Sequence, residues 1–151
     1  VTLLRSNDRG RPWLRIDSPY DGSFYGILPL GPTTLLAYGL RGRVFRSTDD
    51  GDNWQSVRVD QPVLLATGLK TTSGTILLAG QSRAFYLSRD GGASFAPAPL
   101  NLTDAIAELL EAPDGTVLSF GEAGATRLPP ADVAARLSVR SGPPSRSTSA
   151  R

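Results

Sequence analysis

Three eight-residue segments place a hydroxyl, a carboxylate, a glycine and an aromatic ring at fixed spacing. They are Ser6-Asn7-Asp8-Arg9-Gly10-Arg11-Pro12-Trp13, Ser47-Thr48-Asp49-Asp50-Gly51-Asp52-Asn53-Trp54 and Ser88-Arg89-Asp90-Gly91-Gly92-Ala93-Ser94-Phe95. Such residues could bind calcium, since Asp49, Asp50 and Asp52 offer oxygen donors, or could supply acids for hydrolysis. The other copies keep one acid each, Asp8 and Asp90, too few for a calcium loop, so no metal site is expected. Turn chemistry fits all three copies. A short Asp or Ser side chain accepts from backbone N–H groups one or two residues on, which assigns Asp8, Asp49 and Asp90 to closing a turn. Ser6, Ser47 and Ser88 are expected to bond across a hairpin, and Gly10, Gly51 and Gly92 to supply the positive φ the turn needs. Trp13, Trp54 and Phe95 are expected to bury their rings between neighbouring units, roughly 150 to 250 Å² each.

Hydrolytic chemistry finds little support elsewhere in the chain. A glycosidase sets an acid and a second carboxylate roughly 5 to 10 Å apart across the scissile bond. With the box acids committed to turns, Glu108, Glu111 and Glu122 are the only glutamates, and no arginine triad with a Tyr and Glu pair can be assembled. Histidine is absent, which removes the commonest general base and any Ser-His-Asp triad. The chain reads as a non-catalytic protein without a cofactor, with glycoside hydrolysis as the alternative.

The elements that position the boxes follow from their interval. The serines stand at 6, 47 and 88, 41 residues apart both times, a period typical of propellers and other repeat arrays. The same shift lays Thr34-Leu35-Leu36-Ala37-Tyr38-Gly39 on Thr75-Ile76-Leu77-Leu78-Ala79-Gly80 and on Thr116-Val117-Leu118-Ser119-Phe120-Gly121, each a short apolar run ended by glycine. Such runs read as buried strands followed by turns. Another apolar run precedes each of these, one more precedes each box, and the box aromatic opens a last one. Four short strands per repeat is the content of a propeller blade. The expected fold is an all-β propeller with an incomplete ring of about 3.5 blades. Its units are a partial blade at 1–18, blades at 19–60 and 61–100, and a degenerate blade at 101–130 in which Pro129 stands where the next serine is due. Asp104 to Glu111 has strong helix propensity, with Asp104 suited to an N-cap, but register with the earlier units argues for strand. Pro130 to Leu137 could form one or two helical turns, and the Ser-, Pro-, Gly- and Arg-rich end of a 131–151 tail is expected to be disordered.

The totals agree with such a fold. Sixteen glycines, 12 prolines and 20% charged residues in 151 suit a turn-rich β protein. No stretch approaches the roughly 20 apolar residues of a membrane-spanning helix, so direct membrane insertion is not expected. Val1 is not a methionine start, and Val1 to Arg5 is no signal peptide, which is consistent with a processed chain or a piece of a longer one. A net charge of +2 does not argue for nucleic-acid binding, and without cysteine there is no disulfide framework. Lys70 is the only lysine; the other cations are arginines, suited to planar contacts with carboxylate or phosphate.

The eight-residue pattern is that of the Asp-box, or BNR repeat, and resembles sialidases, some xyloglucan-cleaving glycosidases, sortilin-type receptors and the photosystem II stability/assembly factor family. The resemblance is strongest to the last, in its bacterial version. Gly39-Leu40-Arg41-Gly42-Arg43-Val44-Phe45-Arg46-Ser47-Thr48-Asp49-Asp50-Gly51-Asp52-Asn53-Trp54 follows that family's Gly-x-x-Gly-x-hydrophobic-x-Arg-Ser-x-Asp-Gly-Gly-x-x-Trp style, with Asp50 in place of one glycine. The resemblance implies a six- or seven-bladed propeller of which this chain is the C-terminal part. It also implies a scaffold that binds a protein partner during assembly or operation of a membrane complex, photosystem II in photosynthetic organisms. A periplasmic or exported location goes with it. Three and a fraction blades leave open edges, to be completed by the remaining blades of the same protein or by self-association.

Strand direction alternates within a blade, so the turn between its second and third strands lies on the face opposite the boxes. In box-containing enzymes the family places the site on that opposite face. The candidate binding residues there are Arg41 and Arg43, Gln81 and Arg83, Glu122, and Tyr20, Asp21 and Phe24 from the first inter-blade link. Arg41 and Arg43 align with Ser82 and Ala84, so the repeat does not demand them, and a basic, partly aromatic patch suits an acidic or planar partner.

Overall fold

A computed structural model describes residues 2–98 and 104–128 of the chain. It begins with a two-stranded hairpin, β1 (Leu3–Arg5) and β2 (Leu14–Ile16). A four-stranded antiparallel sheet follows, β3 (Phe24–Pro29), β4 (Leu35–Gly39), β5 (Val44–Ser47) and β6 (Gln55–Val57), paired in chain order. The next sheet repeats that order with β7 (Leu65–Lys70), β8 (Ile76–Gly80), β9 (Phe85–Ser88) and β10 (Ala96–Pro97). The last has three described strands, β11 (Ile106–Glu111), β12 (Val117–Gly121) and β13 (Gly124–Leu128). Up-and-down sheets stacked side by side make this a partial β-propeller.

The second strand β8 reads as an unbroken apolar run because a neighbouring sheet covers each of its faces. Ile76 to Gly80 is buried throughout. One core layer joins the sheets of β3–β6 and β7–β10 through Leu36, Tyr38, Val44, Leu65, Ile76 and Tyr86. A second joins β7–β10 to β11–β13 through Leu77, Phe85, Leu87, Ile106, Leu109 and Val117. Burying each such large side chain contributes about 1.5–3 kcal/mol.

The glycine ending each second strand has one physical cause in all three units. A Cβ on Gly39, Gly80 or Gly121 would lie 2.6, 1.9 or 2.0 Å from the carbonyl oxygens of Ser23, Leu64 and Ala105. Those carbonyls sit where the first strand bulges, with register shifts between Phe24 and Gly26, Leu65 and Thr67, and Ile106 and Glu108. The residue after each glycine donates its N–H to the same oxygen, as in Gln81 N to Leu64 O at 2.9 Å. Strand one is thereby locked to strand two at the end of the blade away from the box.

The first strands β3, β7 and β11 run side by side. Thr67 Oγ1 donates to Glu108 Oε1 at 2.7 Å, and the Lys70 ammonium donates to the Leu30 carbonyl of the preceding sheet. Glu111 repeats that link one unit later, accepting from Thr72 N and Oγ1, both at 2.7 Å. The helix propensity of Asp104 to Glu111 is overridden because Ile106 and Leu109 enter the second core layer when the segment pairs with β12 as a strand.

Two expectations change. Leu35 pairs with Ser47 and Ile76 with Ser88, but Val117 pairs with Leu128, so the last hairpin is one residue shorter and Leu128, not residue 129, takes the serine's place. Trp13 is 60% exposed rather than buried. A box packs toward the preceding sheet, as Gly51 does against Ile16 and Gly92 against Leu30 and Leu36, and among the described residues no sheet lies before β1 to cover Trp13. Pro129, Pro130 to Leu137 and the 131–151 tail lie outside the described residues.

Candidate functional site

The boxes use their polar groups on their own backbone. Gly10, Gly51 and Gly92 donate N–H to Ser6, Ser47 and Ser88 Oγ at 2.7, 2.8 and 3.0 Å, and each hydroxyl donates to the box Asp at 2.8 Å. The serines therefore bond within the turn and not across a hairpin. Asp49 and Asp90 accept from the N–H of Asn53 and Ser94, four residues on rather than one or two, at 2.9 and 3.0 Å. Asp8 accepts from Arg11 N, three residues on, at 2.6 Å, where a cis bond joins Arg11 to Pro12. Gly10, Gly51 and Gly92 have φ of 97°, 88° and 81°.

These bonds favour ionised carboxylates. The Asn53 and Ser94 side chains first, then their backbone N–H groups, hold Asp49 and Asp90 below the ordinary value, Asp90 at about 2. Asp52 turns away from Asp49 to pair with Arg5 at 2.8 Å, so the three acids of the second box do not converge on one point. Arg5 also donates to the Asp50 carbonyl at 2.8 Å, and Arg46 donates to the Gly91 carbonyl at 2.8 Å, so the arginine before the first two box serines clamps the box of the next unit. Leu87 holds that position in the third copy and is buried in the second core layer.

Among the described residues, three adjoining clefts lie at the opposite end of the blades. The turn Leu40 to Arg43 joins β4 to β5, with Arg43 N bonded to Leu40 O at 3.2 Å and Gly42 N to Val63 O at 2.6 Å. Between this turn and the Arg58 to Pro62 link lies a cleft of about 550 Å³ lined by Arg41, Arg43, Arg58, Asp60 and Gln61. Gln61 also lines a second cleft of about 280 Å³, with Ser82, Arg83 and Tyr86. Ser82 and Arg83 in turn line a third of about 360 Å³, with Gln81, Asp104 and Glu122. Shared lining residues set the three side by side as a track across two blades and onto the last one.

Of the residues singled out from sequence, Arg41, Arg43, Gln81, Arg83 and Glu122 meet on this track. Tyr20 and Phe24 stand behind it in a ring cluster with Phe45, centroids 5.8 to 6.0 Å apart. The Arg43 guanidinium lies 5.8 Å from the Tyr20 centroid, a cation–π contact that orients it. Asp21 is exposed and lines none of the three clefts.

Sequence reasoning missed Arg58, Asp60, Gln61 and Tyr86. Tyr86 is 1% exposed; its hydroxyl emerges from the core to donate to Asp60 and accept Gln61 N–H at 3.2 Å. Burial, then the Asp60 carboxylate, raises the Tyr86 phenol well above its ordinary value, so it stays protonated. The polar run Arg58-Val59-Asp60-Gln61 between two strands was the available signal, but only the fold brings it against Arg41.

No protein-family model and no curated protein sequence matches the chain. Solved propellers do. YCF48 bound to D1 peptide aligns with a TM-score of 0.58 and 21% identity over 79% of this chain, and YCF48 from Cyanidioschyzon merolae with 0.61 and 16% over 85%. The WD40 β-propeller domain of Doa1 aligns with 0.60 and 9% over 72%. The alignments span 39%, 48% and 37% of those chains, less than half of each. The likeness establishes the β-propeller fold.

Proposed function

We propose that this chain belongs to a non-catalytic Asp-box propeller that binds an extended protein segment along the arginine-lined track. The observation carrying this reading is the juxtaposition of Arg41, Arg43 and Arg58 around one cleft that continues past Gln61 to Arg83. Guanidinium forks suit carboxylates and peptide carbonyls, and a track crossing blades suits an extended chain better than a compact substrate. Among the described residues the lining carboxylates are Asp60, engaged by the Tyr86 hydroxyl, and Asp104 and Glu122 in the third cleft. The likeness to YCF48 bound to D1 peptide supports a peptide partner, and a bacterial relative of the photosystem II assembly factors would use it on a membrane complex. Such a protein would work in the periplasm or outside the cell, its ring completed by further blades or by a second copy.

Replacing Arg41 and Arg43 together with alanine tests the reading. Binding of a fluorescein-labelled decaglutamate peptide, followed by anisotropy, is expected to weaken at least about tenfold, since each guanidinium–carboxylate contact is worth about 1.5–3 kcal/mol. Unchanged binding would leave the arginines as solvated loop charges.

A further inference from the structure

Five consecutive residue pairs in the described chain adopt the left-handed conformation: Arg9–Gly10, Arg41–Gly42, Asp50–Gly51, Ser82–Arg83 and Gly91–Gly92. Four of them place glycine second. The exception is Ser82–Arg83, with φ of 53° and 59°. Its turn is the counterpart of Leu40 to Arg43, because Tyr38 pairs with Val44 as Ala79 pairs with Phe85, and Ala84 N bonds to Gln81 O at 3.0 Å. Arg83 therefore occupies the place of Gly42. At Gly42 a Cβ would lie 2.2 Å from the Gln61 carbonyl oxygen, so that blade has room for glycine alone. A side chain in this conformation crowds its own backbone, and arginine lacks the short polar group with which Asn or Asp offsets the crowding.

The unfavourable choice falls on the wall between two clefts. Arg83 is exposed, lines both the second and the third, and makes no ion pair or hydrogen bond among the described residues. Strained residues persist where function holds them. Among the described residues no carboxylate lines the second cleft, whereas Asp60 lines the first and Asp104 and Glu122 line the third.

We propose that Arg83 is a strained recognition residue, retained in place of glycine to hold a carboxylate of the bound segment in the second cleft. This rests on the peptide-binding reading above. A glycine at 83 would relax the turn and abolish the anchor, so stability and binding move in opposite directions, which a purely structural residue would not do.

The test compares Arg83→Gly, Arg83→Ala and Ser82→Gly in the full chain by thermal midpoint and by anisotropy with labelled decaglutamate, against decaglutamine as the neutral probe. Arg83→Gly is expected to raise the midpoint by about 3 °C and weaken decaglutamate binding about tenfold. Arg83→Ala should weaken binding equally with no gain in midpoint, and Ser82→Gly should raise the midpoint with binding intact. Arg83→Gly binding as the parent does, or gaining no stability, overturns the inference. If that occurs while Arg41→Ala with Arg43→Ala still loses binding, the peptide-binding reading survives alone. If the parent protein does not prefer decaglutamate over decaglutamine, both fall.

Discussion

The two ends of each blade use the same backbone differently. At the box end all three copies repeat the bond from Gly N–H to Ser Oγ, and each box Asp accepts a backbone N–H three or four residues on. At the opposite end the copies share only a tight turn and a glycine locked over the strand-one bulge, while the turn residues change from Leu40-Arg41-Gly42-Arg43 to Gln81-Ser82-Arg83-Ala84 to Glu122-Ala123. The contrast separates residues held by backbone demand from residues free to meet a partner. Repetition marks the first kind, and departure from the repeat marks the second.

The sharpest way to break this contrast is to find demand at the variable end. Gly42→Ala is expected to cost about 2–5 kcal/mol in chemical denaturation, because it combines a left-handed side chain with a Cβ driven into the Gln61 carbonyl. A near-neutral result would mean that the link moves freely and that Arg83 is under no comparable strain. Next in size, Ser47→Ala or Ser88→Ala strands the buried Gly51 or Gly92 N–H and should cost about 1–3 kcal/mol. Loss of only one of these would show the boxes to be unequal.

A smaller, pH-dependent effect belongs to Asp90. Its folded-state value, about 2, lies below the ordinary 3.8, so the folded chain binds fewer protons in that range. The stabilisation is complete above the ordinary value and is lost as the pH falls toward 2. Asp90→Asn should flatten the acid limb of a midpoint-versus-pH curve below pH 4, and a curve superimposable on the parent's would refute this source of acid sensitivity. The smallest effect on stability is expected from Arg41→Ala with Arg43→Ala, within about 0.5 kcal/mol, since both are exposed. A large loss would move these arginines to the structural side of the comparison.

Much of this was legible in the residues because the causes are local and recur. The 41-residue interval, the glycine ending each second strand and the box turn all follow from backbone conformations that few residues allow. The strand at Ile106–Glu111 was legible from register though not from its own propensity. Trp13 was misread because ring burial depends on a neighbouring sheet that is not among the described residues, and Leu128 because a turn one residue shorter is invisible without the pairing. Where Asp21 and the Arg58 to Gln61 link lie relative to the clefts was not legible, because loop sequence does not state which loops converge.

By itself, the amino-acid sequence determined a β-propeller built of box-bearing blades, since hydrogen-bonding and φ requirements repeat in phase along the chain. Only the tertiary structure decided that Arg41, Arg43, Arg58 and Arg83 share one track and that Arg83 sits where its sibling blade needs glycine. The reason is physical: a turn's conformation is set by its own few residues, whereas a cleft is set by the separation of segments that meet only when blades pack.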